Sequence, residues 1–362
     1  MKRALCLLVL VAACSHGSPK AVSTPTPTPS ATPSATAAPR TATAPPTATT
    51  APTVKPFTGP AGTKVPSGFR PQSASFVSDT TGWVLGDSPC PSGKGRCDVI
   101  ARTKDGGTTW RAIPSPRTSP DTLSQIRMAD ERNGFVTGDH LWVTHDGGAT
   151  WTVVPDEDGD GLAIAAGRAW YGVDSHLYSS PVTHVDFEQE LGDHQTGFAL
   201  HGDLVVSGNF ATGASLFVQK HGTDPSTVGT PCEQASTTVV GLGSATHWFL
   251  VCEGDAGLGH QEKHAFQSFD AGRTWKPAGD PPQLTGTDPY VTSDGTFVID
   301  HQEVAAYRDG AWKVVLGSDG GVNEGGFESA RLGYCIGGFG DATDSSMKLT
   351  HDAGRSWTTV AF

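Results

Sequence analysis

A seven-bladed all-β propeller with four-stranded blades is the fold class this sequence predicts, on three observations. The pattern Ser/Thr-x-Asp-x-Gly-x-Ser/Thr-Trp occurs four times, at 103–110, 144–151, 268–275 and 350–357. Its copies keep a common spacing: Asp105 to Asp146 is 41 residues, Asp146 to Asp270 is 124, and Asp270 to Asp352 is 82, close to one, three and two multiples of 41. Between them the chain is rich in Gly, Thr and Val and has no long stretch of helical periodicity. A period of about 40 to 50 residues with short strands marks a propeller, whose blades cannot bury their faces alone.

Each octad reads as the tip of a hairpin. Asp105, Asp146, Asp270 and Asp352 can accept hydrogen bonds from turn amides, and Gly107, Gly148, Gly272 and Gly354 permit a positive φ. Trp110, Trp151, Trp275 and Trp357 are large apolar anchors for the strand that follows. The register leaves vacancies. Tyr307-Arg308-Asp309-Gly310-Ala311-Trp312 is a degenerate copy, and 179–187 and 218–228 occupy two more positions, so seven units result.

At the start of the chain, residues 1–13 combine Lys2 and Arg3 with the apolar run 4–11 and end at Val11-Ala12-Ala13-Cys14. That is a secretory signal too short to span as a mature helix, and its last residues resemble a bacterial lipobox, which implies lipidation of Cys14. Residues 14–66 form a linker dominated by Pro, Thr, Ala and Ser, as in Thr24-Pro25-Thr26-Pro27. Such a segment cannot bury a core and favours an extended stalk of order 150 Å at about 3.1 Å per residue. Residues 67–362 are the propeller, at about 42 residues for each of seven blades.

Within each blade a second signal marks strand two, an aromatic run bracketed by small residues, as in Gly82-Trp83-Val84-Leu85-Gly86, Gly134-Phe135-Val136-Thr137-Gly138 and Gly333-Tyr334-Cys335-Ile336-Gly337. These rings fit a strand buried on both faces. Trp83 precedes Asp105 by 22 positions and Trp248 precedes Asp270 by 22, whereas Phe135 precedes Asp146 by 11. Blades one and five therefore carry longer loops between strands two and three. Those loops project from the face opposite the octads, where a ligand is expected. Cys90 and Cys97 bracket the blade-one insertion and Cys232 and Cys252 flank the first strands of blade five, so each pair is expected to form a disulfide in an exported protein. Cys335 is the odd thiol.

The octad resembles the Asp-box, or bacterial neuraminidase repeat, and the sevenfold arrangement is similar to the propellers of the photosystem II assembly-factor-like group. That resemblance implies a rigid ring that binds a protein or a glycan, since Asp-boxes occur both in sialidases and in non-enzymatic factors. A sialidase needs an arginine triad, a Tyr nucleophile with a Glu partner and an acidic Asp. Phe69-Arg70-Pro71 lacks the Ile of the sialidase Phe/Tyr-Arg-Ile-Pro motif, and with Tyr171, Tyr178, Tyr290, Tyr307 and Tyr334 the only tyrosines, no Tyr/Glu/Arg set can be assembled from the sequence.

Two clusters suggest metals. Asp156, Asp158 and Asp160 with Gly161 form the opening half of a calcium loop without its closing acid, since position twelve is Gly167; a solvated acidic turn is the plainer reading. His260 and His264, four apart, would share zinc only on a helix. No other cofactor is expected. A net charge of -12 disfavours nucleic acid as a partner. The expectation is a monomeric, lipid-anchored extracytoplasmic scaffold for a protein or glycan, more a binder than an enzyme, with an exo-sialidase-like hydrolase as the alternative.

Overall fold

The computed structural model of the protein describes residues 57, 59–116, 123–155, 161–173, 176–191, 198–208, 215–232, 237–257, 260–282, 287–339 and 345–362. They form seven antiparallel sheets, and no helix occurs among the described residues. Each sheet is a blade of four strands in chain order, and blade one carries a fifth. The inner strands of blades one to seven are Arg70–Phe76, Leu123–Met128, Ala163–Ala165, Phe198–His201, Thr237–Leu242, Asp288–Thr292 and Val322–Phe327.

The core lies between blades. Trp83, Phe135, Trp170, Phe249 and Phe297, all on second strands, are at most 1% exposed. Both faces of these strands are covered by neighbouring blades, so an uninterrupted apolar run is stable there and alternation is unnecessary. In blades one, two and seven the inner strand carries a β-bulge at the same level, at Gln72, Ser124 and Asn323. A bulge adds twist and re-aims the side chains after it.

The four octads share one hydrogen-bond pattern. In the first, the Thr103 hydroxyl donates to Asp105 Oδ1 at 2.9 Å and accepts from the Gly107 amide at 2.9 Å. Asp105 in turn accepts the amide and hydroxyl of Thr109 at 2.8 and 2.6 Å. Asp146, Asp270 and Asp352 accept the equivalent amide and hydroxyl. Two successive residues need positive φ: Gly107 at 86° is preceded by Gly106 at 70°, and Gly354 at 72° by Ala353 at 60°. The first of the two donates its amide to the turn between strands one and two of its own blade, Gly106 to Thr80, Gly147 to Arg132, Ala271 to Thr246 and Ala353 to Arg331, at 2.8 to 3.0 Å. The octads therefore lie on the same face as the turns that follow the inner strands.

Two of the octad tryptophans join blades by hydrogen bonds, while Trp110 Nε1 donates to Gly107 O of its own turn. Trp151 Nε1 donates to Pro114 O and Trp275 Nε1 to Gly229 O, both at 3.0 Å and both at the outer strand of the preceding blade. Trp312 of the degenerate copy does the same to Ala278 O at 2.8 Å.

Among the described residues, ring closure uses no shared strand. Blade seven is built entirely from Val322–Phe327, Gly333–Gly337, Ser346–Thr350 and Thr358–Thr359, while Thr63–Lys64 pairs outside Arg111–Ile113 of blade one. Side chains seal the seam instead. Phe362 packs on Phe69 and Trp110 at ring distances of 4.7 and 5.2 Å, over a core containing Phe76, Tyr334, Ile336 and Leu349.

The expected insertions are long hairpins. Gly82–Pro89 pairs with Arg96–Thr103, and Cys90–Cys97 bridges the tip. In blade five, Trp248–Gly257 pairs with His260–Ser268, and Cys232–Cys252 ties the entering segment to the second strand. His260–Ser268 is a strand and not a helix, so positions 260 and 264 stand about 13 Å apart at a rise of roughly 3.3 Å per residue. That spacing rules out a shared zinc.

Candidate binding site in the central channel

The seven inner strands enclose a channel of about 920 Å³. Its wall is divided. Blades three to five contribute small and apolar side chains, among them Ala163, Ala165, Phe198, Leu200 and Val239. Blades one, two, six and seven contribute Ser75, Gln125, Arg127, Asp288, Tyr290, Glu328 and Tyr334.

Glu324 organises the polar side from just behind the wall. It follows the blade-seven bulge, and its Oε1 accepts from Ser73 Oγ and the Ala74 amide, both at 3.1 Å, and from Tyr334 OH at 2.9 Å. Arg127 Nη1 completes the set at 3.1 Å and also donates to the carbonyls of Ile126 at 2.8 Å and Ala74 at 3.2 Å. One carboxylate thus joins blades seven, one and two. Opposite, Tyr290 OH donates to Gly325 O at 2.7 Å. Burial holds the Tyr290 and Tyr334 hydroxyls well above their ordinary range, so both remain protonated donors.

Glu328 is the group with the most available chemistry. It is exposed to channel water yet ringed by protein, and this enclosure pushes its carboxyl up to about 7 against the pull of Arg127. Burial also raises the Asp288 carboxyl, with Glu324 adding to the shift and His301 opposing it. Neither Glu328 nor Asp288 makes an ion pair among the described residues.

Arg127 and Glu328 lie at the ends of inner strands that lead into the first turns, hence in the half of the channel nearer the octads, whereas Asp288 begins its inner strand in the half nearer the opposite face, where a ligand is expected. The octad aspartates are engaged in their own turns, and Phe69-Arg70-Pro71 enters the blade-one strand, where Arg70 makes two 3.0 Å bonds to Asp87. Cys335 is a buried free thiol. Cys14 and the acidic run Asp156, Asp158 and Asp160 lie outside the described residues. Among the described residues no cluster of three or more His, Cys, Asp or Glu could hold a metal. Arg127, Tyr290, Glu324 and Glu328 are missed by sequence reasoning. Glu324 lies 197 residues from Arg127, and neither belongs to a motif.

No family model matches the chain. No curated protein matches it in sequence. Solved structures match its fold. A structure described as YCF48 bound to D1 peptide is 13% identical with a TM-score of 0.53, over 81% of this chain and 96% of that one. YCF48 from Cyanidioschyzon merolae gives 13% and 0.53, over 82% and 99%. The β-propeller domain of the Trilobed protease from Pyrococcus furiosus, described as having an open velcro topology, gives 6% and 0.54, over 82% and 96%. At these identities the likeness is one of fold.

Proposed function

We propose that the protein is a non-enzymatic binding scaffold outside the cytoplasm, whose propeller presents its central channel to a protein or glycan partner. The observation that carries this reading is the divided channel: an apolar arc faces a polar arc whose Arg127 and Tyr334 are already fixed on Glu324. A preformed cavity with a few placed polar groups is what selective recognition needs. A structural neighbour described with a bound peptide supports a polypeptide partner. Two disulfides support an oxidising compartment. Lipidation of Cys14, a spacer over 14–66, and a propeller that works as a monomer belong to the same proposal. The test is selection of peptide and glycan libraries on the intact chain and on Ala165→Trp, which fills the channel from blade three. Ligands enriched on the wild type and lost on a variant of unchanged melting temperature support the reading; ligands retained by the variant refute it.

A second reading, a sialidase-like hydrolase, is favoured by one contact, the Tyr334 hydroxyl on Glu324 with Arg127 alongside. The raised Tyr334 hydroxyl works against a phenolate nucleophile. Failure to release the fluorophore from a 4-methylumbelliferyl sialoside above buffer rate would eliminate this reading.

A further inference from the structure

Building on the reading of the channel as the recognition site, we propose that its octad end seats an organic ammonium group, the side-chain amine of a lysine or a free alkylamine, carried on an apolar chain. Three observations converge there. The first is charge. Glu328 lines the channel with the Phe76 amide donating to it and Arg127 within electrostatic reach but, among the described residues, without an ion pair, while that neighbouring cation is already committed: Arg127 is held by Glu324 at 3.1 Å and by two main-chain carbonyls. An entering cation therefore meets a carboxylate that no cation is bonded to among the described residues, whereas an entering anion meets a guanidinium already paired with Glu324.

The second observation is the rings. Tyr290 and Phe327 line the channel and are only partly buried, while Phe76 and Tyr334 reach its wall from the core at 4% and 2% exposure. They pack as pairs, Phe76 with Tyr334 at 6.3 Å and Tyr290 with Phe327 at 6.4 Å between centroids. The partly open Tyr290 and Phe327 rings beside a carboxylate favour an ammonium group, because the ring quadrupole adds to the ionic attraction while the walls exclude bulk water. The third is the opposite arc. Ala163, Ala165, Phe198 and Val239 offer nothing to hydrogen-bond through their side chains, so the remainder of the ligand is apolar. Asp288 begins the inner strand of blade six, toward the other end of the channel, and gives that end the same sign.

The intact chain is titrated calorimetrically with acetyl-Leu-Lys-Leu-amide, with the same peptide carrying norleucine for lysine, and with 1,5-diaminopentane. Binding of the lysine peptide at least tenfold tighter than the norleucine peptide is expected, with the difference abolished in Glu328→Gln. Binding of the peptide without the diamine assigns the amine to a polypeptide; binding of the diamine without the peptide assigns it to a free amine. Equal binding of the lysine and norleucine peptides, lost in Ala165→Trp, would leave the channel as the recognition site but overturn the ammonium seat. No binding of either cation overturns it as well. Glu328→Asp separates charge from fold, since it keeps the carboxylate and should retain the preference for lysine.

Discussion

Asp352 accepts the Thr350 hydroxyl, the Ser356 amide and the Ser356 hydroxyl at 2.8, 2.8 and 2.6 Å, and against a burial penalty these bonds bring its carboxyl down to about 2. A carboxyl depressed in the folded state contributes stability that is complete above its unfolded value near 3.8 and is lost as pH falls towards 2. Asp352→Ala should cost about 1 to 2 kcal/mol in urea unfolding at neutral pH, and should flatten the acid limb of the stability curve. Glu328 has the opposite sign. Its folded value, raised from 4.5 to about 7, means that stability present below 4.5 is lost as pH climbs to 7, and Glu328→Gln should remove that decline. Gly107→Ala should destabilise by about 1 to 2 kcal/mol through its left-handed φ. Its added Cβ would also meet Leu349 Cδ1 of blade seven at 2.5 Å. The octad roles were legible because one pattern recurs four times and each residue type has a single local use. The positive φ at Ala271 and Ala353 was not, since alanine carries no signal for that conformation.

At the scale of the element, the hairpins of blades one and five were legible as excess spacing before the octad, and their cysteines as pairs. Blades three and four, which lack an octad, could be placed by register and by the weaker strand-two runs at 169–172 and 203–206. In blade three the pattern has decayed to Ser180, whose hydroxyl still accepts the Asp186 amide at 2.7 Å, as the octad hydroxyl accepts its glycine amide. The contact between these two blades is made differently: Glu190 Oε1 accepts the Ser179 hydroxyl at 2.5 Å and meets His221 Nδ1 at 2.6 Å. Local pattern could not show this, because the partners lie on different strands and, for His221, on the next blade. The disulfides differ in the chain they close, with separations of 7 for Cys90–Cys97 and 20 for Cys232–Cys252. Replacing the second pair with serine should cost about 3 kcal/mol and the first about 2, by loop-closure entropy. Comparison of denaturant midpoints of the two double variants tests the order.

For the whole molecule, the ring is held at one seam, among the described residues, by side-chain contacts with no shared strand, and the channel depends on that seam. Sequence pattern could count blades but not show closure, because Phe362 and Phe69, which belong to no repeat, meet the octad residue Trp110 from the two ends of the folded chain. Glu324 belongs to the same seam: it reaches from blade seven to Ser73 and Ala74 of blade one and to Arg127 of blade two. Six of the seven blade contacts are made between blades consecutive in the chain, and only the contact of blade seven with blade one closes a loop of nearly the full domain. Forming it last carries the largest closure entropy, although that cost grows only logarithmically with length. Local opening should therefore begin there. Phe362→Ala removes a ring from the clasp and should cost about 2 to 3 kcal/mol, somewhat less than a fully buried Phe, because Phe362 is only partly covered. Glu324→Gln leaves Arg127 without its anion and should cost about 3 kcal/mol. The measurement that separates opening of the seam from general weakening is amide hydrogen exchange. In both variants protection should fall first in Val322–Phe327 and Arg70–Phe76, while Ala163–Ala165 and Phe198–His201, across the ring, keep wild-type rates under mild conditions. Uniform acceleration in all four strands would mean that the propeller unfolds as one unit and that the seam is no weaker than any other blade contact.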